Sequence, residues 1–260
     1  LEENARRAFK TYLILLLLLA IAVGISSLFP ERGHFNIETL AGSPGLTVAL
    51  NMVFAFILYG VLGLFGLRLA KEVKLPRLFP PRYIHYRFIL EPLFWGGLLG
   101  VIYVLLDITL APVHGMGNIP HPGLAASLVL AVAAAIGKEL MYRLFLIPFL
   151  IYIMLKIWRK IGGRGLTRKR ELKNKLFWPA ALLSSVIFAG GYLYPDISIL
   201  FSGSIFTLSG LLIIKTLIVN FILGLLAAWQ FKQYGFLSAV VLHLGFLVSW
   251  NVIWGNLILG

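Results

Sequence analysis

Cysteine is absent from the 260 residues, which excludes disulfides and thiolate metal sites and leaves the redox compartment unspecified. Charge is scarce: Asp, Glu, Lys and Arg make up 13% of the chain against 60% hydrophobic residues. Acid is scarcer still, with ten Asp and Glu against 23 Lys and Arg and a formal charge of +13. Also missing are an internal repeat, a low-complexity tail and any polar stretch long enough to fold as a soluble domain. Length alone would allow one or two such domains, but this composition leaves a single polytopic membrane domain over residues 1–260.

What fills the chain is apolar runs of membrane-crossing length, about 20 residues each. The pattern predicts an all-α helical bundle of about seven spans: Thr11–Leu28, Leu46–Leu69, Phe88–Leu110, Leu124–Ile157, Phe177–Leu193, Leu211–Phe231 and Phe236–Leu259. The fourth is too long for one perpendicular crossing, so it tilts or continues as a helix beyond the bilayer. Arg6, Arg7 and Lys10 precede the first run as they would a signal peptide, but its length and weak cleavage pattern favour a retained span.

Nineteen of the 23 cations fall on the side of the N-terminus, in the tail, in the connections after spans two and four, and at Lys232; Arg32 alone lies in an outer connection. This bias predicts a cytoplasmic N-terminus and a C-terminus outside. It also removes the need for nucleic acid as the partner of the positive charge, because anionic lipid headgroups suffice. Pro76, Pro80 and Pro81 forbid a continuous helix in the first basic connection. The second has a Gly-Gly break and then a helix-compatible basic segment. The outer connections are Gly/Pro-rich turns, and Tyr194–Gly210 is apolar enough to dip into the outer leaflet.

Ionisable side chains at membrane depth are the strongest functional signal, since each costs on the order of 3 kcal/mol against lipid. Glu139 and Arg143 stand i, i+4 with the acid first, the better order for pairing on one helix face. Lys138 lies about 100° further round. Its acidic candidates are Glu91 and Asp107, near the inner and outer ends of span three, and neither matches its depth. Lys215 is expected to snorkel outward. His243, among Leu, Gly and Val, reads as a hydrogen-bonded packing residue when taken alone. His114 and His121 in an outer loop are weak metal-ligand candidates, and no metal or cofactor is expected.

Three blocks of the C-terminal half resemble the CAAX-protease and bacteriocin-processing membrane proteins, in the same order. AIGKELMYRLFLIPFL resembles the first motif, Glu-Glu-x-x-x-Arg; SSVIFAGGYLYP resembles the second, Phe-x-x-x-His; GLLAAWQFKQYGFLSAVVLHLGFLVSWNV resembles the region of His-x-x-x-Asn/Asp. The resemblance implies a family core over residues 124–259. There the first glutamate and the second-motif histidine would activate water, and the last histidine and Asn/Asp would stabilise the oxyanion. Glu139, Arg143, Phe188 and His243 keep the pattern, whereas Lys138, Tyr192 and Leu247 replace the first glutamate, the second-motif histidine and the Asn/Asp.

A lysine is normally cationic, a phenol titrates near 10, and leucine offers no hydrogen bond. Removing one oxyanion donor alone costs about 100- to 1000-fold. The resemblance therefore implies a degenerate scaffold binding a membrane peptide, lipid or protein partner in the former active-site cavity, with Lys138, Phe188, Leu247 and Asn251 as cavity residues. A second reading keeps an active endopeptidase for prenylated or leader-bearing peptides, with Glu139 as base, His243 as acid or oxyanion donor, Tyr192 as a further donor and Arg143 in support. A third, a small transporter using the buried charges, meets no inverted repeat and no paired broken helices.

Overall fold

The structure, a computed structural model, describes residues 2–29, 43–76, 78, 86–114, 121–160, 169–192 and 209–259. Its elements are helices: α1 Glu2–Ser26, α2 Pro44–Glu72, α3 Arg87–His114, α4 Leu124–Glu139, α5 Ile147–Lys160, α6 Lys169–Gly190, α7 Ser209–Tyr234 and α8 Phe236–Leu247, with π-helical segments at Leu140–Leu146 and Val248–Ile258. No strand occurs among the described residues.

Six helical stretches are long and apolar enough to cross a membrane, and the fourth runs unbroken from Leu124 to Trp158. The stretch read as the fifth span, Phe177–Leu193, is shorter: its apolar helix covers Lys175–Gly190 and ends in a turn at Gly191 and Tyr192. Those 16 residues measure about 24 Å at the helical rise. In the first basic connection α2 stops at Glu72, ahead of Pro76, with Lys74 at φ 56°, while Pro80 and Pro81 lie outside the described residues. The Gly-Gly break and most of Tyr194–Gly210 lie outside the described residues. The basic segment after the break is helical from Lys169.

Large apolar side chains such as Ile14, Leu18, Ile57, Phe65, Phe94 and Ile218 face outward, as they must if lipid rather than water is the solvent. Inside, small residues let backbones meet, the usual source of helix affinity where no hydrophobic drive exists between spans. α3 and α8 pack most extensively. A Cβ on Gly96 would overlap the Leu242 carbonyl oxygen, and one on Gly245 would stand 2.9 Å from the Leu93 carbonyl oxygen. Gly235, at φ 94°, makes the tight reversal that lays α8 against α7.

One expectation is corrected. Lys215 does not snorkel: its Nζ sits 2.6 Å from Asp107 Oδ1, with both side chains buried. A buried acid on the neighbouring helix α3 gives the ammonium a better partner than the interface. Glu91 is also engaged, accepting from the Tyr234 hydroxyl at 2.9 Å.

Candidate functional site

The site is built around a widened helix. Pro148 has no N–H to give the Leu144 carbonyl and would crowd it in a regular α-helix. The chain instead runs π-helically from Leu140 to Leu146, and the Ile147 N–H reaches back to the Tyr142 carbonyl. That carbonyl also accepts the Ser184 hydroxyl of α6 at 3.0 Å. Glu139 and Arg143 flank the first turn of this segment, and π-bulges occur often at functional positions. On the other side, His243 of α8 precedes the second π segment, where Asn256 Nδ2 takes the Asn251 carbonyl at 2.7 Å.

Glu139, Arg143 and His243 are fully buried, with Glu139 meeting both of the others. One carboxylate oxygen of Glu139 lies 2.8 Å from His243 Nδ1, the other 3.1 Å from Arg143 Nε. Arg143 Nη2 donates to the Gly224 carbonyl of α7 at 2.8 Å, and its Cζ lies 4.4 Å from the centre of the Phe188 ring. Arg143 Nη1 has no hydrogen-bond partner among the described residues, and the Phe188 face offers the cation what is left. Phe188 also meets the His243 and Tyr192 rings edge-on at 5.6 and 5.3 Å.

The imidazole's two nitrogens have different work. A carboxylate can only accept, so Nδ1 carries the proton towards Glu139, and in the neutral ring Nε2 keeps a lone pair. The Tyr192 oxygen lies 3.2 Å from Nε2 and donates to it when the ring is neutral. Lys138 turns the other way, its Nζ lying 3.3 Å from the centre of the Tyr192 ring. Beyond it opens a cavity of about 260 Å³ whose wall includes Tyr59, Ala133, Ala134, Lys138, Tyr192, Leu247 and Asn251.

The residues of the three family blocks thus fall at one place, in two layers, and Phe188, expected on the cavity wall, is buried behind it. Glu139, Arg143, Phe188 and His243 form a sealed inner layer; Lys138, Tyr192, Leu247 and Asn251 face the cavity. A model of the family described as type II CAAX prenyl endopeptidase Rce1-like matches residues 120–249, half of the chain. The chain belongs to that family. No curated protein and no solved structure matches it. Membership together with six apolar helices makes it a multi-pass integral membrane protein.

The family segment contains both layers except Asn251, while α1 and α2 lie outside it. Yet Val23 and Ser26 of α1 and Tyr59 of α2 line the same cavity. Sequence reasoning missed these three. Tyr59 offered a weak signal, a polar hydroxyl within an apolar span, and Val23 offered none. Of the two metal candidates, His121 packs edge-on against Trp250 at 4.5 Å, and the side chain of His114 lies outside what the structure describes. No group of three metal-ligating side chains occurs among the described residues.

Proposed function

We propose that the chain is a pseudoprotease, a scaffold of the CAAX-protease type that binds a membrane peptide, lipid or protein partner in the former catalytic cavity without cleaving it. The observation carrying this reading is the make-up of the cavity wall. Among the described residues its lining is Val23, Ser26, Tyr59, Leu130, Ala133, Ala134, Lys138, Tyr192, Leu247 and Asn251, with no carboxylate and no imidazole. A general base must come within hydrogen-bond reach of the water it activates, directly or through one water.

Glu139 fails that test because it is fully enclosed: one oxygen is bonded to His243, and the other is ion-paired with Arg143 though without a hydrogen bond. His243 is no better placed, since Tyr192 occupies its remaining nitrogen. Where the family pattern puts the water-activating glutamate stands Lys138, and Leu247 supplies nothing to an oxyanion. The retained triad then serves structure: Glu139 ties α4 to α8, and Arg143 extends the tie to α7.

The cationic connections hold the N-terminal side at the cytoplasmic face and bind anionic headgroups there. The test of the scaffold reading is cleavage of prenylated and leader-bearing membrane peptides by the protein in vesicles. Wild type and Glu139→Ala should both leave the peptides intact. Turnover by wild type that Glu139→Ala abolishes would overturn the reading.

A further inference from the structure

We propose that Lys138 anchors the carboxylate of a single-chain amphiphile, whose apolar part lies along the aliphatic wall of the cavity. This rests on the reading of the cavity as a binding site. Among the described residues Lys138 has an aromatic partner, the Tyr192 ring, and no acidic one within ion-pair distance. The acids singled out in the spans have other partners: Glu139 has His243 and Arg143, Asp107 has Lys215, and Glu91 has Tyr234. A lone ammonium at membrane depth is costly, and an anion arriving from outside removes that cost.

The surroundings specify the anion. Among the described residues Lys138 is the single charge lining the cavity, and Tyr59 and Asn251 add polar groups beside it. A lone cation matches a monovalent head; phosphates are more often held by bidentate guanidinium groups or several cations. A volume of about 260 Å³ is small for a drug-sized ligand pocket and suits a compact carboxylate better than a diacyl headgroup.

The wall specifies the rest. Leu130, Ala133 and Ala134 lead along α4 from Lys138, with Val23 and Leu247 completing an aliphatic lining. From Leu130 to Lys138 is about 12 Å at the helical rise. Leu130, Ala133, Ala134 and Lys138 are all part-exposed, so each keeps surface that a ligand could cover. A carboxylate on an apolar chain has two sources, a free fatty acid and the C-terminus of an apolar peptide.

The experiment titrates the full chain in neutral detergent micelles with palmitate and with methyl palmitate. A parallel pair uses an apolar peptide with a free C-terminal carboxylate and the same peptide amidated. One charge-assisted hydrogen bond predicts binding about tenfold to 100-fold tighter for the acid than for its neutral counterpart. Lys138→Met should close that gap. A gap confined to palmitate identifies the lipid as the source, one confined to the peptide identifies a chain terminus, and both support the site.

Equal binding of acid and neutral forms by wild type overturns the inference without needing any variant. So does a gap that survives in Lys138→Met. Cleavage is assayed on the same preparation: turnover overturns the scaffold reading, whereas no turnover with no gap overturns this inference alone.

Discussion

Replacing Glu139 with Gln removes one charge from a buried array and leaves its shape nearly unchanged. The carboxylate faces His243 Nδ1 at 2.8 Å and Arg143 Nε at 3.1 Å, all three side chains being fully enclosed. An amide oxygen can still accept from Nδ1, but the guanidinium is left without its counter-charge. Breaking a buried pair from one side costs about 3–5 kcal/mol, a large share of a total stability on the order of 5–15 kcal/mol. Arg143→Met, breaking the pair from the other side, should cost a similar amount. With both substitutions no uncompensated charge remains, and removal of a whole buried pair is often near neutral. The double variant should therefore be markedly more stable than the sum of the single losses predicts, with a coupling of about 1–3 kcal/mol. Equilibrium unfolding in micelles with increasing denaturant measures all four corners of the cycle. A Glu139→Gln cost below about 1 kcal/mol, or strict additivity, would refute the claim that the two charges depend on each other.

Three further outcomes are expected. Lys138→Glu, Tyr192→His and Leu247→Asn together restore the family pattern at three positions on one cavity wall, and should produce measurable cleavage of a membrane peptide; continued inactivity would mean that more than these groups has been lost. Gly96→Ala should destabilise by about 1–3 kcal/mol through overpacking, because its Cβ overlaps the Leu242 carbonyl. Gly97→Ala meets Ser249 Oγ at an ordinary 3.6 Å and should be nearly silent in the same thermal scan; equal effects would contradict the close α3–α8 approach. Asp107→Ala, which strands the buried ammonium of Lys215, should lower the unfolding midpoint, and adding Lys215→Met should recover much of the loss; no recovery would count against the pair.

The chain alone determined the helical membrane architecture, because hydrocarbon permits a spanning backbone few alternatives to the helix. It also determined the Glu139–Arg143 pairing, a contact four residues apart that helical geometry fixes locally. The three family blocks brought Tyr192 and His243 into consideration, through resemblance and not through periodicity. What the tertiary structure decided was everything between helices. It assigned Asp107 to Lys215 where the sequence suggested snorkelling, and turned Lys138 towards the Tyr192 ring and not towards an acid. It also added Val23, Ser26 and Tyr59 to a cavity whose other walls lie about 70 or more residues away in sequence. The reason is physical: a helix fixes which side chains share its own face, but the neighbour that face meets depends on which backbones can approach, here through glycines such as Gly96 and Gly245.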